Sequence, residues 1–205
     1  MKTNLTRKDA QARAELISNV RYDIAVDITG AEEFTTVSTV HFDSKAGTTH
    51  FDLVAAGFEA TLDGEETGRE LSLDDGPHTL TVTSHDAYNR TGEGLHKFTD
   101  PVDGKDYLYT QFEPAMAMRM FACFDQPDLK ATYEISVTAP ERYVVVLNEK
   151  ATRSGNTWSC EITYPLSTYL VAVCAGEYES VHDTFSDEHK NIELGLYARA
   201  SLIEH

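Results

Sequence analysis

Two polar side chains, Gln111 and Glu113, have the types and spacing in this sequence best suited to binding chemistry. On an extended chain, residues two apart project to the same side. An amide beside a carboxylate can accept hydrogen bonds from an ammonium group. A carboxylate facing a cation in a dry pocket makes a strong charge-assisted bond. On spacing alone, an exposed polar strand end is the simpler account of the pair, because exposed Gln and Glu are the norm.

Other chemistries find less support. The eight histidines are His41, His50, His78, His85, His96, His182, His189 and His205, and no two are four apart. An H-E-x-x-H helix, which sets two imidazoles on one face for zinc, is therefore absent. His182 and His189 lie near Asp183, Asp187 and Glu188, but that stretch reads as a polar loop rather than a metal site. Gly92-Glu93-Gly94 lacks the glycine spacing and the lysine of a phosphate loop. It reads as a turn whose glycines let backbone approach another surface. Cys123, Cys160 and Cys174 are widely spaced, with no C-x-x-C. Cys123 has no His or Asn partner in its neighbourhood and reads as a small packed hydrophobe, not a nucleophile. Asp125 is expected to accept from backbone or from Arg119, as part of a structural clasp.

The elements that must position Gln111 and Glu113 follow from periodicity. The chain opens on a short helix. Thr6 suits its N-cap, and Asp9, three residues later, gives a variant of the capping box. Good helix formers follow. After Ser18 the period becomes two, and Val20, Tyr22, Ile24, Val26 and Ile28 alternate with polar residues and Ala25 as in a half-buried strand. Further strands are predicted at 34–42, 50–54, 58–62, 71–73, 79–83, 107–112, 131–138, 143–147, 157–163, 168–175 and 192–197. Asp63-Gly64 is a strong hairpin signal, and Asp74-Asp75-Gly76-Pro77 is a turn cluster. Residues 89–104 are expected to form a long loop between two β layers. Residues 114–128 should be irregular or briefly helical. The last five residues, SLIEH, begin to look helical.

Composition sets outer limits. A chain of 205 residues can bury one core without disulfides or a structural metal. Acidic residues outnumber basic ones 34 to 17, for a net charge of −17. Such a chain repels nucleic-acid phosphates and anionic membranes, so neither is an expected partner. Solubility is the ordinary reason for such acidity. The same potential would draw in cations such as peptide amino termini. The N-terminus has no apolar core of a secretory signal, and no apolar run approaches the ~20 residues of a membrane span. The chain reads as cytoplasmic, with reduced cysteines.

The run QFEPAMAMRMFACFDQPDLKATYEISVTAP, from Gln111 to Pro140, resembles a known signature. It is that of the N-terminal domain of the aminopeptidase N family of zinc metallopeptidases, the M1 peptidases. The pattern there is typically Q-x-E-P-x-x-A-R-R-x-F-P-C-x-D-x-P-x-x-K-A-x-F, followed by a strand and a proline. Gln111, Glu113, Pro114, Ala117, Arg119, Phe121, Cys123, Asp125, Pro127, Lys130 and Ala131 match it. The segments LTRKDAQARAELI, TGEGLHKFTDPVDGKDYLYTQFE and LGLYARASLIEH are similar to the bacterial branch, so the resemblance covers essentially all of 1–205. Met116 and Met118 depart from the commoner Asp and Arg, and Ala122 and Gln126 from Pro and Glu. The missing arginine argues against the family's usual salt-bridged clasp, and flexible methionines could fill that space instead.

The resemblance implies an all-β, saddle-like domain of mostly antiparallel sandwich or open sheets, with a short N-terminal helix. It also implies a thermolysin-like catalytic domain after 205, carrying G-A-M-E-N, H-E-x-x-H and a further zinc-binding Glu. None of those motifs occurs in this chain, so it assigns no catalytic residue or metal ligand here. By the resemblance, Glu113 binds the substrate α-amine and Gln111 lines the pocket for the first side chain. The cofactor is zinc, held in the full-length enzyme and not by these residues. The partners are peptides with a free N-terminus and the intramolecular catalytic domain. An apolar patch is expected where that domain docks. The competing readings are a non-catalytic β-sandwich binding or scaffold module, and a carbohydrate-binding sandwich. The second needs exposed aromatics, and Trp158 reads instead as core or interface packing.

Overall fold

The computed structural model describes residues 5–203 of the chain. Helix α1 (Arg7–Leu16) starts from a complete capping box. The Thr6 hydroxyl accepts the Asp9 N–H at 3.2 Å, and the Asp9 carboxylate accepts the Thr6 N–H at 3.3 Å. Two otherwise orphaned helix donors are thereby satisfied. The chain then runs straight into strands.

These are β1 (Ile17–Asp27), β2 (Glu33–Ser44), β3 (Gly47–His50), β4 (Gly57–Leu62), β5 (Glu65–Glu66), β6 (Glu70–Leu73), β7 (Gly76–Ala87) and β8 (Gly94–Thr99). After them come β9 (Asp106–Gln111), β10 (Ala131–Thr138), β11 (Val144–Leu147), β12 (Thr152–Ser154), β13 (Thr157–Leu166), β14 (Val173–Gly176), β15 (Tyr178–Ser186) and β16 (Asn191–Arg199). The large sheet runs β12-β13-β10-β1-β2-β7-β4-β5, and a smaller one β11-β14-β9-β8. β3 pairs with β6, and β15 pairs with β16 as a separate ribbon. β1 and β10 are parallel, at the centre of the large sheet, and its other pairings are antiparallel. This is the all-β, mostly antiparallel architecture of open sheets that the sequence pattern implies.

The alternation in β1 has one interruption. Ile17 and Val20 are both buried although three apart, because the register shifts between Ser18 and Arg21. Asn19 takes up the extra residue at φ 52°, a conformation its short amide tolerates. From Val20 on, alternate side chains enter the core.

The Asp63-Gly64 turn has φ of 53° and 88°, as a tight hairpin needs, and it joins β4 to β5. The Asp63 carboxylate also accepts the Thr79 N–H at 2.7 Å and meets His78 Nδ1 at 2.6 Å. The other ring nitrogen faces the Asp74 carbonyl at 3.1 Å. With an acceptor at each nitrogen, the charged imidazolium form of the ring is favoured. Burial works against both charges. It is outweighed: the two acceptors raise His78 above its ordinary value, and the Thr79 N–H and His78 lower Asp63 below the usual carboxylate range. The His78 contribution to stability is full below the ordinary imidazole value and fades as pH climbs through the raised one. The Asp63 contribution is full above the ordinary carboxylate value and fades as pH falls through the lowered one. The pair therefore stabilises most between about pH 4 and 6.5. In an NMR titration the His78 ring should titrate above an ordinary histidine and return toward it in Asp63→Asn. An unmoved midpoint would refute the coupling.

Four stretches differ from the sequence reading. The strand expected at 50–54 is instead β3 at Gly47–His50, and 51–54 are irregular, because the Asp52 backbone pairs with Cys123 in a single bridge rather than with a strand. Residues 89–104 are not all loop, because 94–99 form β8, paired antiparallel with β9. The alternation is hidden there by buried polar residues. Lys97 is 6 % exposed, donates to the Ala31 carbonyl at 2.6 Å and pairs with Asp106 at 2.9 Å. The span 168–175 is not one strand. A 3-10 turn at Thr168–Leu170 precedes β14, because the Thr168 hydroxyl is drawn to Asp125 at 2.8 Å. His182 lies within β15, and the polar loop shrinks to 187–190. At the C-terminus, 201–203 form a turn, and residues 204 and 205 of the helix-like SLIEH lie outside the described residues. No helix among the described residues is long and apolar enough to cross a membrane.

Candidate substrate-docking site

Gln111 is the last residue of β9. Phe112 then turns inward, 2 % exposed, and packs against Phe121 at 6.1 Å between ring centroids. Glu113 is exposed again. The order exposed, buried, exposed from Gln111 to Glu113 follows the exposed Tyr109 two residues earlier on β9. The Glu113–Pro114 peptide is cis. Among the described residues, neither the Gln111 amide nor the Glu113 carboxylate has a hydrogen-bond or ion-pair partner, so both are free for a ligand.

Glu113 is held in place by the chain on its C-terminal side, where residues 116–129 lie on the buried face of the large sheet. Phe121 meets Tyr22 edge-on at 5.9 Å, Phe124 meets Phe42 at 5.2 Å, and Tyr22 stacks on Tyr133 at 5.2 Å. The backbone donors of this segment are matched by polar groups planted in that apolar face. The Phe124 N–H donates to the Tyr22 hydroxyl and the Ala122 N–H to the Ser38 hydroxyl, both at 3.0 Å. Burial pushes the Tyr22 phenol well up, so it stays neutral.

Asp125 is the clasp's inner carboxylate. It accepts the Thr168 hydroxyl at 2.8 Å and the Met118 N–H at 3.1 Å. Burial raises its carboxyl, those two bonds oppose the rise, and the Asp52 carboxylate adds to it. The expected partnership with backbone is present. The alternative partner, Arg119, goes elsewhere. Its guanidinium meets Glu93 at 3.5 Å, and its Nε faces the Met116 sulfur at 3.4 Å. Its stem crosses Gly94, where an added Cβ would come within 2.7 Å of Arg119 Cβ. With φ at +64° as well, this position requires glycine. Met116 and Met118 pack against the core, as gap-fillers would.

Sequence reasoning missed the cation that anchors the clasp. Arg13 of α1, 3 % exposed, pairs with Asp52 at 2.7 Å. The same Asp52 oxygen accepts the Asp125 N–H at 3.0 Å, and the Asp52 and Cys123 backbones exchange hydrogen bonds. Arg13 also donates toward His50 Nε2 at 2.9 Å. A guanidinium can only donate, so Nε2 accepts and the His50 proton sits on Nδ1. The 3.4 Å approach of that same Nε2 to Asp52 is therefore not an ion pair. The sequence signal for Arg13 was an arginine three residues after Ala10 and four before Ile17, on the inward stripe of the helix. Gln126 ties the clasp to α1 as well, donating to the Ala10 carbonyl at 2.9 Å. Cys123 is fully enclosed, and burial, then Asp125, push its thiol well up. It packs and does not react.

Among the described residues, no three His, Cys, Asp or Glu side chains gather to hold a metal ion. His182 bonds to Ser180 at 2.9 Å and lies edge-on to Tyr197. The residues present do not fit a zinc site. Trp158 is half-buried against the core, with Arg153 over its ring at 5.0 Å. The ribbon β15–β16 is two-faced. Val181 pairs with Leu196 and Phe185 with Ile192, and with Leu194 they make one exposed apolar face.

Residues 58–170 match the sequence profile of the Peptidase M1 N-terminal domain. An aminopeptidase N of Streptomyces lividans is 42 % identical over 99 % of this chain. The chain spans only 26 % of that relative's length. An aminopeptidase N of Acetobacter pasteurianus is 32 % identical over 72 % of the chain and 45 % of its own length. The solved structure of native yeast LTA4 hydrolase superposes with a TM-score of 0.68 at 19 % identity, covering 82 % of this chain and 30 % of that one. That likeness speaks to the fold. The profile match and the near-complete coverage at 42 % identity settle descent: this chain belongs to the M1 peptidases, as their N-terminal domain.

Proposed function

We propose that this chain is the substrate-docking domain of a zinc aminopeptidase, with Glu113 holding the free α-amine of a peptide and Gln111 lining the pocket for its first side chain. One observation carries the reading. Two exposed, unpartnered polar side chains flank a residue locked into an aromatic core at the end of β9. A carboxylate held in place without a cation welcomes an ammonium. Once a pocket closes over it, it rejects a peptide whose amine is blocked. Catalytic groups and zinc belong to the remainder of the longer polypeptide. Zinc would supply polarisation of the scissile carbonyl there.

The exposed apolar face of the ribbon supports a docking role toward that catalytic domain. A lone two-stranded ribbon is marginal in water, and an apolar face of this kind marks an interface. A reducing, cytoplasmic setting suits the three free cysteines, Cys123, Cys160 and Cys174.

The test is Glu113→Gln in the full polypeptide. Losing a charge-assisted bond to the ammonium should cut kcat/KM for free-amine substrates about tenfold to hundredfold. Weak cleavage of amine-blocked peptides should be unchanged. Equal kinetics for both proteins on free-amine substrates would sink the assignment. The 205 residues alone should cleave no aminoacyl amide, with or without added zinc.

A further inference from the structure

A second charged feature adjoins Gln111 and Glu113. A cavity of about 380 Å³ opens beside β8, lined by Tyr88, Asn89, Arg90, Thr91, Leu95 and Arg119, among others. Two arginines from separate parts of the chain thus line one concavity, in a protein of net charge −17. Neither is well satisfied. Arg90 has one carboxylate contact, to Glu32 at 3.3 Å, and Arg119 has one, to Glu93 at 3.5 Å. Charge-assisted pairs close to about 2.7–2.9 Å when they are strong. Glu32 and Glu93 are themselves 76 % and 48 % exposed, and neither lines the cavity. The Arg119 Nε faces only a thioether, a weak acceptor. The acid that does line the cavity, Asp86, is engaged in part with the Ala87 N–H at 2.9 Å. A guanidinium has five N–H donors, and the protein itself engages few of those on these two partly exposed side chains, leaving the rest to solvent or a ligand.

The position of Arg119 ties this cavity to the proposed substrate face. Gly94 stands opposite Gln111 across the β8–β9 pair. The Arg119 stem occupies the space where a Gly94 side chain would be. Arg119 therefore lies beside the first residue of β8, next to the strand end that carries Gln111. Gln111 and Gly94 are about 5 Å apart, and Glu113 lies roughly 7 Å along the chain from Gln111. An extended tripeptide spans about 10 Å between its charged ends.

We propose that the Arg90–Arg119 cavity is a carboxylate subsite, taking the C-terminal carboxylate of a short peptide whose amine is held at Glu113. The pairing with Glu113 rests on the docking role proposed above, while the carboxylate subsite itself does not. A guanidinium pair matches the planar two-oxygen geometry of a carboxylate, and the ligand would displace two exposed, loosely held glutamates. The enzyme would then favour short peptides over long chains, which carry no carboxylate within reach.

The test is a titration of the 15N-labelled chain with N-acetyl-triglycine, triglycinamide and triglycine, and separately with inorganic phosphate. N-acetyl-triglycine should move the amides of 88–95 and Arg119, and triglycinamide should not. Arg90→Gln, at a half-exposed position outside the core, should weaken N-acetyl-triglycine about tenfold. Arg119→Gln should do the same. Equal shifts with triglycinamide, or unchanged affinity in both variants, overturn the subsite. Phosphate binding at these amides with no response to N-acetyl-triglycine overturns the peptide assignment. N-acetyl-triglycine binding at the arginines with no added gain from the free amine of triglycine keeps the subsite and counts against Glu113. The reverse pattern, gain from the amine and none from the carboxylate, keeps Glu113 and removes the subsite.

Discussion

Replacing Arg13 with Leu should destabilise the domain by about 3–5 kcal/mol, because it removes the permanent cation from a carboxylate that is left with only His50 nearby, at 3.4 Å. The Asp52 side chain is 15 % exposed, and its Oδ2 accepts both the Arg13 guanidinium at 2.7 Å and the Asp125 N–H at 3.0 Å. The leucine would keep most of the volume and the packing against Phe124, over which Arg13 now sits at 5.8 Å. The loss is therefore mostly electrostatic. Denaturant unfolding should show a lower midpoint at unchanged slope. Adding Asp52→Asn should return part of the loss, since an amide oxygen still accepts the Asp125 N–H without carrying charge. A single substitution within about 0.5 kcal/mol of the parent would show that the pair contributes nothing net.

Phe121→Ala should cost a similar amount, roughly 3–5 kcal/mol, for a different reason. Phe121 is fully buried between Tyr22 and Phe112. Its removal leaves a cavity the sheet cannot close, because Tyr22 is held by its stack on Tyr133 and by the Phe124 N–H. The melting temperature should fall by roughly 10 °C. The effect should also reach the docking face. Phe112 sits between Gln111 and Glu113 in the chain and loses its main aromatic contact, so peptide binding should weaken even at temperatures where the domain is folded. Phe121→Leu refills most of the space and should cost much less. Equal losses in the two variants would mean that the contact is not shape-specific.

The strands were legible where burial is one-sided. Val20 to Ile28 and Ala131 to Val137 alternate because one face of each meets the core. β8 was not legible, since Lys97 and His96 are polar and buried and break the pattern that periodicity relies on. Gln111 and Glu113 stood out by their spacing, which alone allowed an ordinary exposed strand end, and the structure leaves both exposed on either side of a buried Phe112. For Asp125 the sequence left backbone and Arg119 as alternative partners, and Arg119 turns to Glu93 instead. Its course is decided by Gly94, far earlier in the chain, and no local rule links the two. Arg13 and Asp52 escaped for the same reason. A buried ion pair across two elements leaves no mark on the periodicity of either.

The parallel contact between β1 and β10 has a consequence for the order of assembly. Tyr22 and Phe124, which hydrogen-bond beneath it, are 102 residues apart, and Gln126 reaches the Ala10 carbonyl across 116. Contacts of such separation close late, since the chain loses loop entropy before they form. During synthesis, β1 can pair with β2 at once, but its other edge must wait for β10. The strand that bears Gln111 is made inside that interval. That strand belongs to the smaller sheet, but the segment after Glu113 packs on Tyr22, so its seat is complete only when the first strand of the chain acquires its second neighbour.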